Sequence, residues 1–401
     1  MRKFKWLILL ISAFFYFSHA DTLTILNLSE LIEEAKLNNP EIQAAEERYN
    51  AARARVSVIR HLMDPLFGIE FLGNMRMYSI SQQFPFPAKL GTLSKFARTE
   101  VQEYENEYEQ KEQEIINKVK KNYAQLFLIH KRIETVEESI AFLTQLFHIA
   151  SLNYAIGKVP QVDVLRAQIE LAKAENDLLT LEDEKTIIQA KLNVLLNRGL
   201  DEEMGIPEGV DTSLFVMETN ELYDLAKEYR PVLKAFRMRL KKARVMLSLA
   251  KQKYLPDFMF KFTQQETDFD LTDRKFMFGL TIPIWFWGKQ NEMVKEMNAN
   301  LKMVEALYQH IENMVLLAVK EGRIKVDKNQ RTVTLYQNSI IPQAEASLNS
   351  ALAAYEANQI DFLSLLESEK VLVQSELNYY RAQAGLFMAV ADLEEAVGME
   401  F

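Results

Sequence analysis

Apolar residues recur at steps of three and four along most of this chain, the spacing that predicts amphipathic helices. Two stretches show the spacing most plainly: Ile115, Val119, Tyr123, Leu126 and Ile129 in the first, and Val164, Leu165, Ile169, Ala172, Leu178 and Leu181 in the second. Neither glycine nor proline interrupts residues 92–156, 161–198 or 343–384. As one helix, residues 92–156 would extend roughly 100 Å, longer than a compact domain. The narrow apolar stripe therefore predicts helical-hairpin arms that pack as coiled coils.

Two other segments alternate with a period of two, which predicts β-strands. After Pro65 and again after Pro256, apolar residues occupy every second position, and mostly small or polar residues fill the positions between them. Gly73 and Asn74 are placed to turn the first segment into a hairpin. Each strand is about ten residues long, the length that a tilted strand needs to cross a bilayer. The predicted lipid face consists of Phe67, Phe71, Phe258, Phe260, Phe262, Phe276 and Phe278.

Four strands are too few to close a membrane barrel, because even the small barrels use eight. An open sheet edge in lipid leaves backbone groups unpaired, at a cost of several kcal/mol per group. If the strands are embedded in a membrane, several chains must therefore contribute to one barrel. The alternative is a soluble sheet that packs its apolar face on a protein core.

The chain also nearly repeats itself. At a spacing of 191 residues, Pro40, Ala44, Ala52, Arg53 and Pro65 recur as Pro231, Ala235, Ala243, Arg244 and Pro256. At a spacing of 201 residues, Ala150, Tyr154, Leu165, Glu175, Ala190 and Leu192 recur as Ala351, Tyr355, Leu366, Glu376, Ala391 and Leu393. These matches predict two structural repeats, about residues 27–199 and 218–401. Each repeat must bury its apolar face against its twin or against another chain.

Residues 1–20 have the features of a signal peptide. Three basic residues precede a run of apolar ones, and Ser18 and Ala20 supply the small side chains of a cleavage site. Cleavage would leave residues 21–401 as a single exported domain. The alternative is a retained membrane anchor, but the apolar run is shorter than the ~20 residues that a spanning helix needs.

Composition excludes several classes of function. The chain has a formal net charge of −9, and losing the basic leader makes it more acidic, which argues against a nucleic-acid partner. It contains no cysteine, and its five histidines are scattered without the pairing of a zinc site. It also lacks a nucleophile-elbow motif and a phosphate-binding glycine loop. We therefore expect neither an enzyme nor a protein that binds a metal or a cofactor.

Three groups of motifs carry a family resemblance. They are the helix start at residues 39–42 together with residues 51–54, the strand exits at residues 83–87 and 281–288, and the helix-turn-helix tips at residues 154–167 and 355–368. The order of duplicated helix, β-hairpin, long helix, tip and returning helix resembles the TolC family of outer-membrane efflux channels. The resemblance covers nearly the whole mature chain.

The resemblance implies a mainly α fold with a membrane β-barrel. A homotrimer would form one 12-stranded barrel, with four strands from each chain, joined to a long α-helical coiled-coil tube. The barrel would lie among the lipids of the outer membrane of a Gram-negative-type cell, with most of the chain in the periplasm. The protein would be a passive export duct of a tripartite efflux or secretion system. A periplasmic membrane-fusion adaptor would couple it to an inner-membrane pump of the RND or ABC type.

A pore-less periplasmic coiled-coil adaptor or scaffold is the alternative function. Such a protein would be soluble without detergent. It would not need alternating aromatic faces on four strands.

The two tips are the candidate periplasmic gate. Gly157 is placed to adopt a positive φ where one helix ends, and Asn358 at the matching position is the usual substitute. The resemblance implies that the tips close the channel mouth and that Tyr355 and Asp163 form a gating link. Ordinary helix packing is the alternative role of this pair.

Other gating features of the family match less well. A second family link uses an arginine where this chain has Ile360. The resemblance also implies a ring of carboxylates just inside the mouth, for which this chain offers Glu367 but has Ser364 at the second position. We therefore expect a weaker ring, with one charge from each chain.

Overall fold

A computed structural model describes residues 25–211, 213, 215–267, 270–357 and 359–401. The predicted signal peptide lies outside these residues. The first half comprises β1 (Ile25–Leu26), α1 (Leu28–Asn38), α2 (Pro40–Arg60), β2 (Leu66–Leu72), β3 (Met75–Phe84), α3 (Pro87–Ala155) and α4 (Gln161–Leu196). The second half comprises β4 (Ile206–Pro207), α5 (Thr219–Tyr229), α6 (Pro231–Gln252), β5 (Asp257–Thr267), β6 (Asp270–Thr281), α7 (Asn291–Leu335), α8 (Ile341–Glu356) and α9 (Phe362–Val397).

Helix α3 is a single helix of 69 residues, so the uninterrupted run in the sequence is one element. At 1.5 Å per residue it extends roughly 100 Å. It contacts α2 and α4 of its own half and α6 and α9 of the other half. Helices of both halves of the chain therefore pack on the same helix. Among the described residues, no helix is both long and apolar enough to cross a membrane.

Each half has an apolar core of the same design. In the first half, α1, α3 and α4 supply most of a buried cluster that includes Leu31, Ala35, Ile115, Val119, Leu126, Leu192 and Leu196. In the second half, α5, α7 and α9 supply a cluster that includes Leu222, Ala226, Val315, Val319, Val326, Leu393 and Val397. These residues match one to one along the chain. The matching sequence positions therefore occupy matching places in the structure.

Two π-helical turns distinguish α7 from α3. One, Phe286–Gln290, precedes α7, and the other, Tyr336–Ile340, separates α7 from α8. Between them, buried residues of α7 match those of α3 at a spacing of 200, as Val319 matches Val119. After the second turn the spacing is 201, as Tyr355 matches Tyr154. A π turn uses one more residue per hydrogen-bonded ring than an α turn, which accounts for the change.

The two matching helices α2 and α6 begin differently. Asn39 caps α2, because its side-chain oxygen accepts hydrogen bonds from the N–H groups of Glu41 (2.9 Å) and Ile42 (3.3 Å). Its side-chain nitrogen also donates to the carbonyl of Leu195 at 2.8 Å, which ties α2 to the end of α4. The matching Arg230 makes no side-chain cap, and its guanidinium instead donates to Glu395 at 3.1 Å.

The four longer strands form one antiparallel sheet in the order β2-β3-β5-β6. The predicted turn is present, with Gly73 at φ +59° between β2 and β3. The central pairing joins β3 of the first half to β5 of the second half. Within the described chain, β2 and β6 each pair on one side only, so both outer edges of the sheet are open.

The chain after α9 turns at Gly398, which has φ +88°. A Cβ atom there would lie 2.7 Å from the Cα atom of Arg230 and 2.9 Å from its nitrogen. Glycine is therefore required both by the backbone conformation and by the close approach of α6.

We expect Gly398→Ala to destabilise the protein by at least about 1–2 kcal/mol, because alanine disfavours positive φ and the neighbouring backbone must move. Gly91→Ala is the control, since Gly91 lies in α3 and a methyl group added there would meet no side chain within 4 Å. Alanine should stabilise that helix by about 0.5–1 kcal/mol. Thermal unfolding of the detergent-solubilised protein measures both changes. Equal effects of the two substitutions would contradict the crowding at Gly398.

Candidate functional site

The first tip is a helix end closed by glycine. Gly157 has φ +74°, and its N–H donates to the carbonyl of Tyr154 at 2.9 Å. The N–H of Lys158 donates to the carbonyl of Asn153 at 2.8 Å. This pair of bonds is the Schellman arrangement, which satisfies carbonyls that the helix leaves unpaired. The positive φ predicted for Gly157 is confirmed.

The second tip turns in a related way. Asn358 lies outside the described residues, but the N–H of Gln359 donates to the carbonyl of Ala354 at 2.8 Å, as Lys158 does to Asn153. Asp361 then caps α9 by accepting from the N–H of Ser364 at 3.0 Å.

Asp361 escaped the sequence analysis, although an aspartate directly before an apolar helical run is a recognisable start signal. The matching residue of the first tip is Pro160, which offers no side-chain cap. The two tips therefore begin their returning helices with different chemistry.

Both tips share one apolar core. Its buried members come from α3, α4, α8 and α9: Leu143, Leu146, Ala150, Ala167, Tyr355, Phe362, Leu365 and Leu366. The rings of Tyr355 and Phe362 meet edge to face, with centroids 5.8 Å apart. Ile360 packs against this core, at the position where the family link would need an arginine. An aliphatic contact therefore occupies the place of that link.

Tyr355 and Asp163 lie close enough to interact electrostatically, but no hydrogen bond joins them. Burial raises the pKa of the Tyr355 hydroxyl, the negative charge of Asp163 raises this pKa further, and the nearby side chain of Asn153 lowers it. The hydroxyl oxygen is buried and has no hydrogen-bond partner among the described residues. The structure thus brings the predicted pair together within one chain, and their gating link stays a prediction.

The side chain of Asp163 is only 13% exposed, and the guanidinium of Arg166 lies 4.0 Å from its carboxylate. Burial raises the pKa of Asp163, and the charge of Asp361 acts in the same direction. Arg166 lowers this pKa. The negative charges of Asp163 in the first tip and Asp361 in the second tip are therefore close enough to repel each other.

Glu367 and Glu369 stand close together on α9 in opposite surroundings. The side chain of Glu367 is exposed, as a residue lining an open space would be, and Ser364 beside it is exposed as well. Glu369 is 4% exposed and accepts a hydrogen bond from the hydroxyl of Ser139 on α3. Burial raises the pKa of the Glu369 carboxyl. Sequence analysis missed Glu369, because its burial against α3 and its contact with Ser139 cannot be read from α9 alone.

The seven predicted lipid-face residues all lie on one face of the sheet. Residues directly opposite each other on antiparallel strands share a face. Phe258, Phe260 and Phe262 lie opposite Leu280, Phe278 and Phe276, and on the other side opposite Phe84, Gln82 and Ile80. Ile80 in turn lies opposite Phe67, and Phe71 follows on the same face. Phe278 is 82% exposed and Phe71 is 72% exposed.

The apolar face does not extend over the whole sheet. Toward the hairpin turns, the same face carries Tyr78, Gln264 and Arg274 in one row of opposing residues. The other face carries Lys261, Thr263, Ser79 and Ser81 in its middle rows. The register therefore places most of the aromatic residues near the helices, with Phe71 farther out opposite Arg76, and places polar residues in the outer rows and in the middle of the opposite face.

An ion pair between a buried lysine and a partly exposed aspartate joins the sheet to the helices. Lys89 at the start of α3 is 4% exposed, and its ammonium donates to the Asp257 carboxylate and to the Leu255 carbonyl, both at 2.8 Å. Asp257 also accepts from the N–H of Phe86 at 3.0 Å. No sequence signal pointed to Lys89 or Asp257, since the two residues meet only through the pairing of β3 with β5.

Among the described residues, no three histidine, aspartate or glutamate side chains are grouped closely enough to hold a metal ion. The arrangement offers instead an apolar band, two open sheet edges and a pair of tips.

The family model of outer membrane efflux proteins matches the chain twice, at residues 31–198 and 222–399. The chain belongs to the outer membrane efflux protein family.

Two curated relatives are similar to this chain. The cobalt-zinc-cadmium resistance protein CzcC of Cupriavidus metallidurans is 20% identical over 69% of this chain and 66% of its own length. The toxin and drug export protein A of Aggregatibacter actinomycetemcomitans is 21% identical over 68% of this chain and 64% of its own length. The chain thus spans about two thirds of the length of the curated relatives it matches.

The fold also matches a solved structure. The outer membrane protein VceC from Vibrio cholerae superposes with a TM-score of 0.80, over 93% of this chain and 96% of VceC. The two sequences are 18% identical, so this likeness shows the fold alone.

We expect the stability of the tip region to fall as pH rises from about 4.5 through the raised pKa of Glu369, because ionising this buried carboxyl is unfavourable. Glu369→Gln keeps an acceptor for Ser139 and removes the charge, so it should raise Tm at pH 7 and flatten this dependence. Glu228→Gln, the same charge change at an exposed position of α5, is the control and should leave both unchanged. Thermal unfolding between pH 4 and 8 measures the difference, and a lower Tm for Glu369→Gln at pH 7 would contradict this interpretation of the site.

Proposed function

We propose that this protein is the outer-membrane channel of a tripartite efflux or secretion system, a passive duct that catalyses no reaction. The observation that carries the proposal is the aromatic band on one face of a four-stranded sheet whose two outer edges are open. A sheet of this kind can lie in lipid only when the strands at its two edges pair with other strands. Family membership supports the same function.

A trimer supplies those partners. Within the chain, β3 pairs with β5 so that Phe84 lies opposite Phe258. The repeat matches β3 with β6 and β5 with β2, so β6 would pair with β2 of a neighbouring copy. That pairing sets Ile282 opposite Phe67 of the neighbour and keeps both side chains on the aromatic face. Three copies then close a barrel of 12 strands.

The helices would continue the barrel as a periplasmic tube. The tips, which form the end of the helical hairpins away from the sheet, would be the periplasmic mouth. Tyr355, Asp163 and Gly157 would belong to the gate, and Asn358 would turn the second tip. Glu367 would line the duct just inside, as one carboxylate from each copy.

The tips would also meet the partners of the system. We propose a periplasmic adaptor and an inner-membrane pump of the RND or ABC type, because a passive duct needs an energy source elsewhere.

Delivery of the protein to the outer membrane requires the signal peptide predicted at residues 1–20, with residues 21–401 as the mature domain. The name of one curated relative refers to resistance to cobalt, zinc and cadmium, and the name of the other refers to the export of toxins and drugs. The cargo is therefore not carried over to this chain.

Purified protein in mild detergent should form a trimer that conducts ions in planar bilayers with a preference for cations, since carboxylate rings favour cations. Glu367→Gln should lower this preference. Glu228→Gln, the same charge change at an exposed position of α5, should not. Recovery as a soluble monomer without conductance would favour the pore-less adaptor.

Phe278→Lys should destabilise the assembled protein by roughly 2–4 kcal/mol, because lysine near the middle of a bilayer is costly on the lipid face. Gln83→Lys is the control, since Gln83 lies on the opposite face of the same sheet. Heat stability of the trimer in detergent and its recovery in outer membranes measure both substitutions. Equal losses would mean that the two faces are assigned wrongly.

A further inference from the structure

Within the chain, α3 and α9 meet along a charged seam that joins the two repeats. The ammonium of Lys121 lies 2.7 Å from the carboxylate of Asp392. Asn117 donates to Asp392 at 3.2 Å and also to Glu395. Lys120 pairs with Glu394 at 2.8 Å. On this seam, α3 supplies the cations and α9 supplies the carboxylates.

The repeat assigns a counterpart to each residue of this seam. Helix α7 matches α3 at a spacing of 200, and α4 matches α9 at a spacing of 201. Lys121 therefore corresponds to Glu321, and Asp392 corresponds to Lys191. Both counterparts are exposed, and neither forms an ion pair within the described chain. The charges of this pair are retained in kind but exchanged between the two helices, whereas Lys120 and Glu394 correspond to Lys320 and the uncharged Asn193.

Apolar residues flank this exchanged pair. Asn117 corresponds to Leu317, and Glu395 corresponds to Val194, which are 49% and 57% exposed. One turn or two farther along, Ile324 is 53% exposed on α7 and Ile187 is 56% exposed on α4. Their counterparts Ala124 and Met388 pack together in a core cluster on the seam within the chain. The exposed faces of α7 and α4 are therefore complementary, because they carry opposite charges flanked by apolar residues.

We propose that α4 of one copy packs on α7 of the next copy in the register of the α3–α9 seam, with Lys191 paired to Glu321 of its neighbour. Val194 then covers Leu317, and Ile187 covers Ile324. This inference rests on the proposed trimer and defines its helical interface. The occupant of the exposed α7 face is a second copy of this chain.

The exchanged charges also set the order of helices in the ring. Within each half, α9 packs on α7 and α4 packs on α3 through their core-facing sides. If the seam side of α9 met the exposed side of α7 in this register, Asp392 would face Glu321, and if the exposed side of α4 met the seam side of α3, Lys191 would face Lys121. Each of these combinations sets like charges against each other at this pair, which penalises it relative to α9 on α3 and α4 on α7. The two repeats therefore alternate around the ring, although their backbones are alike.

The absence of cysteine from the chain makes a direct test simple. Lys191→Cys combined with Glu321→Cys should give covalently linked trimers when membranes are treated with a short bismaleimide crosslinker. The control pair is Lys191→Cys with Arg331→Cys, which lies ten residues farther along α7, about 15 Å from Glu321. It should give little linked product, as should each single variant.

A charge exchange provides the second measurement. Glu321→Lys should weaken the trimer in detergent roughly tenfold or more, because it sets like charges against Lys191 in all three interfaces. Adding Lys191→Glu should restore the trimer. Trimers that neither crosslink through positions 191 and 321 nor respond to the charge exchange would overturn the register and leave the proposed channel standing. Unaltered protein that is monomeric in detergent would overturn the proposed function itself.

Discussion

The burial of one apolar seam along α3 is the interaction on which the rest of the structure depends. Helices in proteins derive most of their stability from the packing of an apolar face, and α3 offers such a face over 69 residues. Here α2, α4, α6 and α9 cover it along its length. The same helix starts beside the Lys89–Asp257 ion pair and ends just before Gly157, so the sheet lies at one end of it and the tip at the other. The distance between these two candidate sites is therefore the length of a single rigid element.

Local sequence patterns predicted the structural features that depend on residues close together in the chain. Alternation placed the seven phenylalanines on one face, and glycine at the end of an apolar run located the positive φ of Gly157. Contacts between distant segments were out of reach. The pairing of Lys89 with Asp257 follows only from the register of β3 on β5, and the burial of Glu369 follows from the position of α3. The Tyr355 hydroxyl was assigned a partner by resemblance, whereas its environment depends on the packing of four helices.

The two repeats keep their backbone and differ in their polar chemistry. Asn197 and Gly398 end matching helices in the same left-handed conformation, with φ values of 58° and 88°. At other matching positions the side chains have diverged, as Asn39 and Arg230 show at the starts of α2 and α6. Apolar positions tolerate such divergence poorly, because both repeats must bury the same stripe. Polar positions are less constrained, so the contacts within one chain can differ from the contacts proposed between copies.

The π-helical turn at Tyr336–Ile340 absorbs one extra residue in the second long arm. In a regular α-helix each residue adds about 100° of rotation, so an uncompensated insertion would turn every later side chain away from its partner. Tyr355 would then leave the tip core, and the arm would no longer match α3. Because the extra residue is confined to one π turn, the side chains of the second arm keep the orientation of their counterparts on α3. Insertions and deletions in long helices of this kind are thus tolerated where the hydrogen-bonding pattern can widen locally, and such turns mark where the lengths of the two repeats diverged.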